Sequence, residues 1–244
     1  MAAWTVHALD TGSSVIEKSI ITYLKDAGRS ILIPRVMFLV RGPMTVVVDT
    51  SVESAHVAQD ILGENFTRTP EQEPVRALRE RGVDPEDVDL VVFSHLHWDH
   101  SGNNHLFPRA RFLVQARELD YALRPSAFFA RAFLAESYGF RPGFQGIHFE
   151  TVDGDTSLMP GLDLILVPGH TPGSQAVLVE TASGRVCIAG DAVYTYENYH
   201  ERIPPGFHVD VDQSLQSMER IRGMADLVLP GHEASLFQGE TVYR

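Results

Sequence analysis

The residues best able to do chemistry lie in one run, Ser94-His95-Leu96-His97-Trp98-Asp99-His100-Ser101-Gly102-Asn103, where four metal-binding side chains fall within six positions. Extended backbone through His95 and His97 projects both imidazoles to one side. A tightening turn then brings Asp99 and His100 to a second point a few ångströms away. That spacing suits two metal ions rather than one. Three later segments share a design of apolar run, glycine and ligand: Leu164 to His170 through Gly169, Val186 to Asp191 through Gly190, and Leu227 to His232 through Gly231. Glycine permits the tight turn that a residue just past a strand end needs to face a shared site. The set is five histidines and two aspartates, without thiolate, which suits zinc and also takes iron, manganese or cobalt. Structural zinc sites are four-coordinate and usually cysteine-rich, so seven ligands with open positions point to a catalytic pair of divalent ions.

The elements that must position these groups read as strands more often than helices. Val- and Ile-rich runs bounded by turn signals predict strands over 36–40, 45–48, 88–93, 111–114, 162–167, 176–179, 186–189 and 227–229. Arg41-Gly42-Pro43-Met44 reads as a hairpin turn between the first two. Helices are expected over 73–81, 116–123, 126–138 and 212–224. No internal repeat or low-complexity linker interrupts the chain, so residues 1–244 read as one α/β domain with sheets inside and helices outside. The glycines and prolines of 139–161 mark a junction between its two halves. Phe128, Phe129, Phe133, Tyr138, Phe140 and Phe144 crowd one stretch, read first as the core face of a helix and second as a substrate wall. Phe107, beside the metal motif, is a candidate substrate-binding wall residue.

Composition narrows the partners. The chain carries 32 acidic against 20 basic residues, a net charge of −12, so no broad basic surface is expected to draw in nucleic acid. A single cysteine, Cys187, lies in a strand-like apolar run and excludes a disulfide framework. The first seven residues lack a basic segment followed by an apolar one, and no apolar run approaches the roughly 20 residues of a membrane span. The expectation is a cytoplasmic protein without a membrane partner, as monomer or homodimer. No nucleophile elbow surrounds a serine. Six of the eleven histidines, His7, His56, His105, His148, His200 and His208, fall outside the pattern and are read as ordinary.

The motif His95-x-His97-x-Asp99-His100, followed by His170, Asp191 and His232, resembles that of the metallo-β-lactamase superfamily, and the resemblance extends over nearly the whole chain. Val48-Asp49-Thr50 is similar to the family's early strand and Asp turn, with Ser51 where many members have glycine. The resemblance implies an αβ/βα four-layer sandwich with the metals at one edge of two facing sheets. It implies that His95, His97 and His170 hold one ion, that Asp99, His100 and His232 hold the other, and that Asp191 bridges them. Secreted β-lactamases lack that bridging aspartate, and flavodiiron oxidases usually have glutamate at the position of His97. Gly190-Asp191-Ala192-Val193-Tyr194-Thr195-Tyr196-Glu197-Asn198 is similar to the quorum-quenching N-acyl homoserine lactone lactonases, in which a tyrosine three residues after the bridging aspartate reaches the substrate carbonyl. Here that residue is Tyr194, expected to be both catalytic and substrate-binding.

The expected reaction is attack of a metal-bridging hydroxide on a lactone carbonyl. Tyr194 and one zinc would stabilise the oxyanion, and Asp99 would carry a proton to the leaving oxygen. Asp49 and Ser94 are expected to orient ligand imidazoles from behind. A cyclic amide hydrolase, a thioester hydrolase resembling glyoxalase II, and a metal-binding module without turnover are the alternatives.

Overall fold

The computed structural model describes residues 4–239 and 241–244; Met1 to Ala3, the start of the stretch read for a targeting signal, and Glu240 lie outside them. Thirteen strands occur among the described residues: β1 (Thr5–Glu17), β2 (Ser30–Arg41), β3 (Thr45–Val48), β4 (Asn65–Thr67), β5 (Leu90–Val92), β6 (Arg111–Gln115), β7 (Phe149–Val152), β8 (Thr156–Met159), β9 (Leu162–Leu166), β10 (Gln175–Thr181), β11 (Gly184–Gly190), β12 (Leu227–Pro230) and β13 (Val242–Tyr243). One sheet runs β13-β1-β2-β3-β5-β6-β7 with β4 added to β1, and the other runs β12-β11-β10-β9-β8. The helices are α1 (Lys18–Ile21), α2 (Pro74–Arg79), α3 (Ala116–Leu123), α4 (Tyr196–Glu201) and α5 (Val211–Met224).

Side chains alternate across a strand, and here both faces of the central strands are buried. From β2, Val36, Phe38 and Val40 enter a core shared with Leu164, Val177, Val179 and Ile188 of the other sheet. Met37 and Leu39 face the opposite way, against Ala77 and Leu78 of α2 and Ala122 of α3. In the second sheet Val177 and Val179 face the shared core while Ala176 and Leu178 meet Met218 and Ile221 of α5. Strands buried on both faces read as continuous apolar runs rather than alternating ones, which is why they were legible. The result is helix, sheet, sheet, helix, the expected αβ/βα sandwich. The 139–161 junction carries β7, at one edge of the larger sheet, and β8, at one edge of the other.

The direction of the strands sets the site. β3 and β5 are parallel; β9 and β11 both run against β10, and β12 runs with β11. Strands that point the same way end at the same edge, so the residues just after β9, β11 and β12 gather together, facing those that follow β3 and β5.

One expected element is corrected and one strand was not foreseen. The segment 126–138 is not a helix but a series of turns, with Phe129 N–H donating to Ser126 O and Ala132 N–H to Phe129 O, both at 3.0 Å. The Ala132 carbonyl is taken by Trp98 N–H at 2.8 Å, and Leu134 has φ 49°, so helical hydrogen bonding cannot continue. The thirteen-residue β1 was not anticipated, because Thr11, Ser13 and Ser14 break its apolar pattern. Thr11 and Ser14 are nonetheless fully buried, each with a hydrogen-bond partner on Arg35. Among the described residues no helix is long and apolar enough to cross a membrane.

Leu164 is fully buried between the sheets, whereas Leu32 on β2 is 64% exposed. Leu164→Ala should cost about 2–5 kcal/mol through lost contacts and a residual cavity, and Leu32→Ala within about 0.5 kcal/mol. Urea unfolding midpoints of the two variants check this, and equal shifts would contradict the two-sheet core.

Candidate metal centre

The seven expected ligands converge. His95, His97, His170 and Asp191 form one buried group, and Asp99, His100 and His232 form a second. His95 Nε2, His97 Nδ1 and His170 Nε2 make a triangle with edges of 3.0, 3.0 and 3.2 Å. Nitrogens each about 2.0–2.1 Å from one zinc ion would be spaced in this way. Asp191 lies between the groups: Oδ2 is 3.3 Å from His170 Nε2, and Oδ1 is 3.2 Å from both His100 Nε2 and His232 Nε2. Asp99 Oδ2 completes the second group, 3.7 Å from His100 Nε2 and 3.9 Å from His232 Nε2.

The outward nitrogens show which ring atoms are bare. His170 Nδ1 is 2.7 Å from Phe207 O, His232 Nδ1 is 2.9 Å from Pro34 O, and His100 Nδ1 is 2.7 Å from Asp49 Oδ2. Carbonyl and carboxylate oxygens only accept, so each Nδ1 carries the proton and each Nε2 presents a lone pair inward. His95 Nδ1 is 3.1 Å from Ser94 Oγ, whose own proton goes to Asp49 Oδ2 at 2.7 Å. Asp49 also accepts from Ser94 N–H at 2.7 Å. Asp49 and Ser94 thus stand behind the imidazoles as expected. Ser51 keeps the left-handed turn that glycine often takes, at φ 62°. Its Oγ lies 2.6 Å from Thr11 Oγ1 and 3.2 Å from Arg68 Nη2, and its carbonyl accepts from Gly102 N–H at 2.9 Å.

Lone pairs facing one another at 3 Å repel unless a cation lies among them. His100 Nε2 and Asp191 Oδ1 are moreover buried without a hydrogen-bond partner among the described residues. The donor set therefore fits two metal ions. The protonation tendencies agree. Burial, with neighbouring imidazoles, holds His95 and His97 well below the ordinary histidine range. Burial disfavours charge on His100 too, but Asp191, Asp99 and Asp49 outweigh it and raise its pKa. Burial likewise opposes charge on Asp191, yet His100 and His232 hold its carboxyl well below the usual range. A cation is thus the natural replacement for the proton His100 would otherwise hold. Gly231 is required by close approach: a Cβ there would lie 2.6 Å from Asp191 Oδ1.

The centre opens on a cavity of about 320 Å³. Ile16, Ile20, Ile21, Ile33, Phe128 and Phe207 give it apolar lining, together with His97, Asp99, Asp191 and His232 of the centre. Tyr194 lies at their edge, 5% exposed, its ring 5.5 Å from that of His170 and 5.1 Å from that of His232. Burial, with Asp191 and Asp99 nearby, pushes its phenol well above the usual range, so it remains a donor. Phe107 is corrected as a wall residue: it is fully buried in the core beneath α2 and α3. Phe129, Phe133 and Phe144 are core residues as well, and of that aromatic stretch Phe128 reaches the cavity. Cys187 is fully buried and its thiol pushed up to about 12, which leaves it inert.

Sequence reasoning missed Arg35. Its guanidinium is buried, hydrogen-bonds Asp99 Oδ2 and Ser14 Oγ, faces Glu64 Oε2 at 3.4 Å and lies 5.2 Å from the Trp98 ring centre. Burial opposes charge on Asp99, but Arg35 and His100 keep its carboxyl below the ordinary range. The available signal was a lone charge inside the apolar run Ile31 to Val40.

Residues 34–232 match the metallo-beta-lactamase superfamily. The N-acyl homoserine lactonase AiiA of Bacillus thuringiensis subsp. kurstaki is 28% identical over 235 residues, covering 91% of this chain and 88% of that protein. The N-acyl homoserine lactonase AttM of Azorhizobium caulinodans is 34% identical over 171 residues, 65% of this chain and 63% of that protein. The fold is similar to that of a B. thuringiensis AiiA variant with N-decanoyl-L-homoserine bound at the active site, with a TM-score of 0.82 at 24% identity over 98% of this chain and 96% of that one. AidC, a dizinc quorum-quenching lactonase in complex with its product, gives a TM-score of 0.72 at 18% identity, covering 95% and 88%.

A ligand that binds the folded chain alone stabilises it by mass action, about 2.7 kcal/mol per site at a hundredfold excess over Kd. Zinc added to chelator-treated protein should therefore raise the melting temperature, and renewed chelation should reverse the rise. An unchanged melting curve would show that the seven groups hold no cation.

Proposed function

The chain belongs to the metallo-beta-lactamase superfamily, and on that premise we propose that it is a dizinc hydrolase opening the ring of N-acyl homoserine lactones or related small lactones. The observation that carries this reading is that the cluster of five histidines and two aspartates opens on a largely apolar cavity that Tyr194 also lines. Relatives named as N-acyl homoserine lactonases over most of the chain support the substrate class.

Two zinc ions at this centre would supply a water-derived nucleophile at neutral pH and polarise the ring carbonyl. His95, His97 and His170 would hold one, Asp99, His100 and His232 the other, and Asp191 both. Tyr194, kept protonated by burial and the nearby carboxylates, donates to the carbonyl oxygen as that oxygen gains charge. Asp99 accepts the proton released by water and passes it to the ring oxygen as the C–O bond breaks. Arg35 hydrogen-bonds Asp99 Oδ2 and so fixes the orientation of this carboxylate at the cavity. The four isoleucines and the Phe128–Phe207 pair, stacked at 6.1 Å, accommodate an acyl chain and exclude water.

The test is a screen of zinc-loaded protein against acyl homoserine lactones, unsubstituted lactones, cyclic amides and a glutathione thioester. Lactone turnover is expected, with Tyr194→Phe lowering kcat on the order of a hundredfold and His97→Ala abolishing it. Prompt thioester hydrolysis without lactone turnover would overturn the proposal in favour of the glyoxalase II-like reaction.

A further inference from the structure

One buried carboxylate near the centre has no part in the chemistry above. Glu118, in the first turn of α3, is fully buried. Its Oε1 accepts from Leu96 N–H at 3.0 Å, and its Oε2 accepts from Thr171 Oγ1 at 2.6 Å and Gly173 N–H at 3.1 Å. Leu96 separates His95 from His97 on the loop that leaves the larger sheet. Thr171 and Gly173 follow His170 on the loop that leaves the smaller sheet. The two oxygens of one side chain therefore grip both loops that supply the three-histidine triangle, and they touch neither Asp99, His100 nor His232. The packing is close: a Cβ on Gly173 would lie 2.3 Å from Glu118 N, so the second loop sits directly on α3.

We infer that Glu118 is a positioning residue that sets the spacing between His95–His97 and His170, and so determines the affinity of the three-histidine site for its cation selectively over that of the Asp99–His100–His232 site. Its chemistry fits that task. Two backbone N–H groups, one on each oxygen, require an acceptor at both positions, which a carboxylate satisfies and an amide does not. Burial pushes the Glu118 carboxyl up to about 7 against the pull of its three donors. The sheets do not depend on Glu118 alone for their junction, because Gln175 N–H donates to Ser94 O at 2.9 Å and its side chain to Phe93 O at 2.7 Å. Removing the carboxylate should therefore loosen the triangle before it opens the sandwich.

The experiment titrates zinc into the chelator-stripped full chain in competition with a chromogenic chelator, reading two stepwise dissociation constants, with cobalt absorption as a second readout. Glu118→Gln should weaken one constant by about 10- to 100-fold, the usual effect of losing a group behind metal ligands, and leave the other within about threefold. The weakened site should be the one removed by His97→Ala and not the one removed by His232→Ala. Thr171→Val, which deletes a single bond to the carboxylate, should weaken the same site to a smaller degree, and it decides the matter if Glu118→Gln does not fold. Equal weakening of both sites, no weakening, or loss of the site that His232→Ala removes would overturn the assignment. A wild-type chain that takes up no cation at the three-histidine site overturns it together with the metal reading, whatever the substrate screen shows.

Discussion

Four of the five imidazoles at this centre have the outward nitrogen fastened to an oxygen, and this fixes where those four bare lone pairs point. The oxygens come from far apart in the chain: Pro34 within β2, Asp49 after β3, Ser94 after β5, and Phe207 in the segment before α5. Each must arrive within hydrogen-bonding distance for the opposite nitrogen to face the centre unprotonated. The sandwich achieves this by ending its parallel strands at one edge, so that short turns rather than long loops carry the ligands. Burying five imidazoles and two carboxylates together is costly without a compensating cation. Cation uptake and the order of this edge are for that reason coupled.

The cavity combines two kinds of lining. Isoleucines and phenylalanines supply apolar area, while Asp99, Asp191, Arg35, Glu64 and Arg131 supply charge, with Arg35 paired to both Asp99 and Glu64. Arg35 is the pivot of these charges. A buried guanidinium stacked near Trp98 and paired with Asp99 offsets negative charge where two carboxylates and the metal ligands would otherwise accumulate it, and it holds Asp99 in one orientation. The adjacent Glu64 carboxyl is raised by burial against the pull of Arg35, whereas that of Asp99 is lowered in spite of burial.

Much of this was legible in the sequence, for identifiable reasons. A strand buried on both faces leaves an unbroken apolar run, and a ligand that must turn sharply off its end leaves a glycine before it; both marks survive in one dimension. β1 left no such mark, since Thr11 and Ser14 are buried by virtue of Arg35, more than twenty residues away. The segment 126–138 had helical spacing, but the capture of the Ala132 carbonyl by Trp98 is a tertiary bond that propensity does not contain. Phe107 adjoins the motif in sequence, yet its side chain packs into the opposite side of the larger sheet. Ile16, Arg35, Glu64, Phe128 and Phe207 come together only through folding, and Glu118 has no local pattern at all.

The turns of 126–138 also bear on how this architecture can change over evolutionary time. In a helix, an inserted residue rotates everything after it by about 100°, so a wall built from one would be reshaped as a block. Here each reversal closes over a few residues, and the segment is anchored to the metal-bearing loop by the Trp98–Ala132 bond and by Phe133, whose ring centre lies 4.5 Å from that of His97. Length changes before that anchor, around Phe128, can widen or narrow the mouth locally while the ligands stay in register. Substrate range and metal geometry are in this sense separately heritable, though they share a wall.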